Sequence, residues 1–493
     1  MKLNIKLKAI ALGGLLALGY GCSSDFLDTH ATQTIDFEQY GQSAIKNPKL
    51  LDATLTGLYS TMINTGTGGT TGHDDFGQKG YDIFSDFLSS DMALSVSTYG
   101  WYRRFTDYQT TVDNTRNENY IPWRYYYRLI RGCNAFISSL GGNDAVPASA
   151  EGKYGMGQAK AIRAYAYFYL TQFYINEYTP TSKVLPLLTD ATQSAVPQST
   201  TQEVYNLMIK DLTEAIGYLN GFNRVSKNQI NQDVAKALLA YVYGSMNTAD
   251  SNAKAKTLTS EIIAGGSYTL MSGAEVVGGF NDINTPGWMW GFDLTTDMGF
   301  DLISWWGQMD VFTYSYQWAG DRKAIDANLF NAIPANDARK AQFFNNSASG
   351  YHLIPWRKFY APARTIGGQR NVVTDYVFMR VAEMYLLNAE FSAKTGDEAT
   401  AKTSLKAVVS QRVPSATYID ALSGQALLDE IYLQTRIELF GEGKSYLAMK
   451  RFKATVTRGS NHLTHVGTPI PYNDDRLTWV IPLSEIQNNP FIN

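Results

Sequence analysis

Cysteine is nearly absent from this 493-residue chain. It has two Cys and five His, which leaves little for metal or thiol chemistry. Charge is sparse as well. Asp, Glu, Lys and Arg make up 18% and sum to −3, against about 25% charged residues in an average domain. With no basic excess, no basic stripe and no RNA-binding aromatic motif, nucleic acid is excluded as a partner. After the N-terminus no apolar run approaches the roughly 20 residues of a membrane span. Catalytic signatures are missing too: neither H-E-x-x-H nor G-x-S-x-G occurs. Gly441-Glu442-Gly443-Lys444-Ser445 imitates the end of a phosphate loop, but Glu438 stands where the first Gly is needed. Gly155-Met156-Gly157 lacks the third Gly of a dinucleotide fingerprint, and His462 with His465 lacks a third metal ligand. A glycosidase needs only two well-spaced carboxylates, and no local motif supports one. The expectation is a chain with no catalytic residue, no catalytic metal and no cofactor. Structural Ca²⁺ at Asp74-Asp75 or Asp474-Asp475 is the alternative to solvated loop carboxylates there.

Aromatic residues, by contrast, are abundant: 13% of the chain, with 32 Tyr, 23 Phe and 9 Trp. Tyr and Trp are amphipathic and suit surfaces that meet flat, half-polar ligands, although part of the Tyr content caps buried helices. The length is enough for a large core, in one or two lobes.

The first residues read as a sorting signal. Lys2, Lys6 and Lys8 precede an apolar stretch at 9–18, too short to span a membrane permanently. Leu18-Gly19-Tyr20-Gly21-Cys22 then resembles a bacterial lipobox. Cleavage would leave Cys22 as the first mature residue, and acylation by several chains would anchor it firmly. Asp25 falls at the fourth mature position, which permits sorting to the outer membrane. Cys133 then has no partner and reads as a buried thiol.

Apolar periodicity predicts amphipathic helices over 48–62, 122–140, 158–175, 200–219, 232–246 and 252–264. Thr200 and Glu203 have capping-box spacing. Residues 266–375 lose the periodicity, are rich in Gly, Asp, Asn and Trp, and read as loops with short strands. Helical pattern returns over 376–409 and 424–451. There, Leu386, Ala389 and Ala393 share one helix face, Thr395-Gly396-Asp397 turns the chain, and Ala401, Leu405 and Val408 lie on the next helix. Small residues at helical spacing around a Gly turn form the pattern of a tetratricopeptide hairpin, and 235–262 repeats it. Arg163, Arg380, Glu383, Glu390, Arg436 and Glu438 interrupt apolar helices. Such charges are expected to pair at helix contacts, because an unpaired buried charge is costly.

Several motifs then identify a resemblance. Cys22-Ser23-Ser24-Asp25-Phe26-Leu27-Asp28 is followed by Trp123-Arg124-Tyr125-Tyr126-Tyr127-Arg128-Leu129-Ile130-Arg131-Gly132-Cys133-Asn134. Ala159-Lys160-Ala161-Ile162-Arg163-Ala164-Tyr165 precedes Leu185-Pro186-Leu187. Arg380-Val381-Ala382-Glu383-Met384-Tyr385 and Arg436-Ile437-Glu438-Leu439-Phe440-Gly441-Glu442-Gly443 complete the order. Over nearly its whole length the chain resembles the SusD/RagB family of outer-membrane nutrient-binding lipoproteins. The resemblance implies a mainly α fold of about four tetratricopeptide-like helix pairs with a loop-rich, ligand-facing region. The implied layout is a signal peptide at 1–21 and one domain at 22–493. Its helical scaffold would cover about 40–265 and 376–451, and its insert about 266–375. It further implies a surface-exposed, lipid-anchored protein that captures oligosaccharide for a TonB-dependent barrel transporter of the SusC type, as in polysaccharide utilisation. The alternative is a peptide-binding importer subunit of the same family.

A sugar presents apolar C–H faces flanked by hydroxyls, so its site needs flat rings with polar groups at the rim. Tyr99-Gly100-Trp101-Tyr102-Arg103 offers that mixture, in a neighbourhood from which relatives supply a binding aromatic. A second candidate is the loop-borne set Trp288, Trp290, Trp305, Trp306 and Trp318, which holds five of the nine Trp. Two or three of these five are expected to be core. Asp75 and Arg103 are the expected polar rim contacts.

Overall fold

The computed structural model describes residues 49–492. The signal segment, the Cys22 lipidation site and the motif at 22–28 lie outside the described residues.

The scaffold is a succession of antiparallel helices: α1 (Lys49–Ile63), α2 (Gln78–Leu88), α3 (Asn117–Ser139), α4 (Ala150–Tyr174), α5 (Thr201–Tyr218), α6 (Gln232–Met246) and α7 (Ala249–Gly265). It resumes with α8 (Val381–Lys394), α9 (Glu398–Val409), α10 (Gly424–Leu439), α11 (Ser445–Phe452) and a short α12 (Leu483–Asn488). From α3 to α7 each helix packs on the next. α8 then packs on α7, α9 and α10, so the two helical stretches form one continuous stack. The fold is the mainly α, tetratricopeptide-like one. Leu386, Ala389, Ala401, Leu405 and Val408 meet in one small core between α8 and α9, as their spacing requires. Thr200 caps α5 with a complete capping box through Glu203.

Two helices begin earlier than their periodicity suggests. α3 runs through Pro122, which cannot donate to the carbonyl of Glu118. The Trp479 indole N–H takes that role, donating to Glu118 O at 3.0 Å. α4 opens at a Ser149 cap that accepts from Gly152 N at 3.0 Å. Gly155 and Gly157 hide this first part from a propensity reading, yet they are where neighbours come closest. A Cβ on Gly155 would lie 3.0 Å from the Phe136 ring, and one on Gly157 would lie 2.9 Å from Leu219. The apparent nucleotide-loop fragment is therefore a packing seam.

Strands are few. Every sheet among the described residues is a two-stranded antiparallel ribbon. β1 (Met92–Val96) pairs with β5 (Arg322–Ile325), β2 (Lys183–Pro186) with β3 (Gln198–Thr200), β4 (Trp288–Phe292) with β6 (Tyr376–Arg380), and β7 (Thr455–Thr457) with β8 (Pro469–Pro471). The β1–β5 and β4–β6 ribbons stitch the loop-rich stretch 266–375 into the helical part. One main core includes residues from both.

The six charges are paired, as expected, although Arg380 ends β6 rather than lying inside a helix. Arg163 makes two hydrogen bonds of 2.8 Å to Asp211. Arg451 grips Glu390, and Arg436 grips Asp91. Arg380 binds Glu442 through Nε and Nη2 and Glu438 through Nη1, while Arg412 and Arg339 close on Glu438 from other sides. Glu442 also takes Lys358 at 2.9 Å, and Lys444 faces Glu383 at 3.8 Å. Thus 441–445 is a turn that organises scaffold charges. Gly441 and Gly443 sit at φ of 79° and 72°, where Gly has no steric cost. Cys133 is buried and free, and burial pushes its thiol pKa up.

Candidate functional site

Where β1 ends, the chain enters the loop at 97–102. The antiparallel register sets Val96 against Arg322, which brings Asp321 under this loop. Its carboxylate accepts from the backbone N–H of Thr98 at 2.6 Å, Tyr99 at 2.8 Å and Trp101 at 3.0 Å. A buried carboxylate with several N–H donors is well satisfied, and each charge-assisted bond stiffens the loop. The loop therefore presents its aromatic residues on a fixed base.

On that base the rings gather. Trp101 stacks on His73 at 5.1 Å between centroids and 5° between planes. Tyr316 closes against both, at 5.7 Å from each ring, with its hydroxyl 2.7 Å from His73 Nδ1. Tyr99 meets Tyr316 edge-on at 5.6 Å and is 62% exposed. Tyr316 lies on a single helical turn, Tyr316–Ala319, whose Ser315 cap accepts from Trp318 N. Below the platform, Lys323 donates to Gln308 Oε1 at 2.7 Å, and Gln308 Nε2 donates to His73 O at 2.8 Å. Burial pulls the Lys323 pKa down to about 7, against the opposing pull of Asp321.

Trp318, from the same turn, is half-buried and faces another way. It packs 5.5 Å from Tyr314, and Gly367 lies flat against it: a Cβ there would be 3.0 Å from the ring. Arg370 covers Tyr314 at 3.8 Å. Phe312, Trp356, Phe344, Tyr351 and Tyr360 continue this second aromatic patch.

The expected residues are thus divided. Tyr99 and Trp101 meet in one platform, and half-buried Arg103 is their near neighbour in sequence. Trp318 belongs to the adjoining patch. Four of the Trp candidates are core instead. Trp288 and Trp306 have 0% exposure, Trp290 1% and Trp305 3%. Trp290 donates to Asn228 O, Trp306 lies near Asp375 O, and Trp305 is sandwiched between Phe359 and the Lys79 ammonium. Covered rings offer no face to a ligand. Asp75 is corrected too. It is fully buried, and its carboxylate accepts from Gly68 N, Thr70 N and Thr70 Oγ1, holding a turn. Asp474 pairs with Arg476. His462 and His465 face different carboxylates, Asp326 and Asp107. Among the described residues no group of three His, Cys, Asp or Glu is placed to hold a metal ion.

Sequence reasoning missed His73 and Tyr316. The only signal for Tyr316 was its place in Tyr314-Ser315-Tyr316-Gln317-Trp318, and none marked His73. Tyr316 is itself only 9% exposed and backs the platform, so the ring surface open to a ligand is that of Tyr99, Trp101 and His73. Asp321, the carboxylate under the loop, is taken up by backbone donors.

A family model described as "Starch-binding associating with outer membrane" matches residues 25–243, and one described as "SusD family" matches residues 306–490. A curated relative, SusD-like protein P25 of Formosa agariphila, is 26% identical over 120 residues. That alignment covers 24% of this chain and 22% of the relative, so it spans about a fifth of the relative's length. Among solved structures, a SusD superfamily protein from Bacteroides fragilis is 26% identical, with 90% of this chain and 99% of that one covered at a TM-score of 0.72. A SusD-like carbohydrate binding protein from Bacteroides vulgatus shares the fold at 24% identity and a TM-score of 0.74, covering 90% and 96%. With family models matched on both helical stretches and a fold shared over 90% of the chain, this chain belongs to the SusD/RagB family.

Proposed function

We propose that this chain is a surface-exposed, lipid-anchored outer-membrane protein that captures oligosaccharide for a SusC-like TonB-dependent barrel transporter, without altering the sugar chemically. Family membership supports the outer-membrane setting and the transporter partner. The lipobox at Cys22 supports the anchor. The observation that carries the sugar reading is the platform of Trp101, His73 and Tyr316 with exposed Tyr99 at its edge. The Tyr99 and Trp101 rings on a pinned loop, backed by His73 and Tyr316, suit the C–H faces of a pyranose, whereas a peptide site needs charged groups for termini.

A shallow ring platform gives modest affinity, in the micromolar to millimolar range, or roughly 4 to 8 kcal/mol. The test is a glycan array followed by calorimetry on protein beginning after Cys22, with Trp101→Ala alongside. Binding to one glycan class, reduced at least about tenfold in Trp101→Ala, is the expected result. Failure to bind any glycan, with tight binding of mixed peptides, would overturn the sugar reading and favour a peptide-importing subunit.

A further inference from the structure

Away from the platform, a groove of about 440 Å³ runs between α3, the stretch around 186–196 and the C-terminal α12. That volume falls in the class of small-molecule sites, about 300 to 1,000 Å³. One wall is a face of α3 carrying Arg124, Arg128 and Arg131. Their i, i+4, i+7 spacing aligns them along roughly 10 Å of helix.

All three arginines are exposed. Among the described residues, each makes one hydrogen bond and no ion pair. Arg124 donates to Tyr120 OH at 2.9 Å, Arg131 to Ser194 O at 3.1 Å and Arg128, at 3.5 Å, to Thr67 O. A guanidinium has five N–H donors, so most of theirs are left for a ligand. The Arg124 guanidinium lies against Gly69, where an added Cβ would be 2.5 Å from it. One carboxylate lines the groove, Glu485, and it accepts from Trp123 Nε1 at 3.2 Å and Asn489 Nδ2 at 2.8 Å. The lining therefore carries three positive charges against one negative, in a chain whose net charge is −3. Ser194, Ser484 and Asn488 add hydroxyl and amide groups, and Leu188 an apolar wall.

We propose that this groove is a second binding site, for a saccharide bearing an oxyanion, either a sugar carboxylate or a sulfate ester. Guanidinium forks match the planar carboxylate and the sulfate oxygens. The hydroxyl and amide rim suits the rest of the ring.

The test titrates the mature chain with glucose, glucuronic acid and glucose 6-sulfate, three pyranoses that differ in the anionic group. Either acidic sugar should bind at least about tenfold more tightly than glucose, and which one binds identifies the anion. Arg128→Gln and Arg131→Gln, exposed changes that leave the core intact, should each weaken that binding several-fold. Glu485→Gln should strengthen it. Added salt should weaken it, as for any exposed charge contact. Trp101→Ala should leave it unchanged, which separates this site from the platform. Equal titration of all three sugars would overturn the proposal. So would an anion preference that survives the arginine changes, or inorganic sulfate binding as well as glucose 6-sulfate.

Discussion

Trp306 is fully buried, with its indole nitrogen 3.3 Å from the Asp375 carbonyl, whereas Trp101 keeps part of its ring in solvent. Truncating a buried aromatic removes its transfer free energy and leaves a cavity. Trp306→Ala should therefore cost about 3 to 5 kcal/mol, while Trp101→Ala should cost about 1 kcal/mol or less, as for surface changes. Urea unfolding of the two variants separates them, and equal losses would contradict this division of core and platform. The residue scale also shows where sequence reading stopped. All nine Trp look alike in a string of letters, and in irregular chain no periodicity tells which face is covered. Trp288 and Trp290 even sit at alternate positions of β4, the pattern of a half-exposed strand, yet both faces of that ribbon are buried.

At the scale of elements, the platform depends on a loop held from below. Asp321 supplies the acceptor for four N–H groups of the loop at 97–102, and it is placed there by the β1–β5 pairing. Asp321→Ala removes those bonds without touching any ring. Ligand affinity should fall about tenfold, because an unpinned loop must be ordered on binding. The glycan class found on the array, titrated by calorimetry, checks this, and an unchanged affinity would show that the rings need no such support. Helices were far more legible than this loop. Their apolar spacing and the Thr200–Glu203 box placed most of them, but not α2 or α12, and the expected helix from 376 opens instead with β6 at Tyr376–Arg380. The early starts of α3 and α4 were not legible, because Pro122 and the Gly155–Gly157 pair break the propensity signal. Only the Trp479 bond and the close helix contacts make those residues acceptable.

Across the molecule, buried charge joins the loop-rich stretch to the second helical stretch. Burial alone would push Glu442 up, but Arg380 and Lys358 outweigh it and hold its carboxyl at about 2. A carboxylate whose folded pKa is depressed contributes stability above its ordinary value near 4.5, and that contribution is lost as pH falls through the interval down to about 2. Glu442→Gln leaves two buried cations under-compensated and should cost about 3 to 5 kcal/mol at neutral pH. The gap in thermal midpoint between wild type and Glu442→Gln should narrow as pH drops from about 5 towards 2. A gap independent of pH would mean that the pair contributes through packing alone.

The sequence by itself determined the family, the helical scaffold, the absence of a recognisable catalytic motif and the pairing of the helix charges. These rest on local spacing and on the high cost of an unpaired buried charge, both readable along the chain. Which aromatics face solvent was decided only by tertiary structure. Tyr316 reaches Trp101 across more than two hundred positions, through a strand pairing and one helical turn, and Asp75 turns inward to close a bend. Long-range contacts of this kind leave no periodic trace, because irregular chain takes its direction from what it packs against rather than from its own repeat.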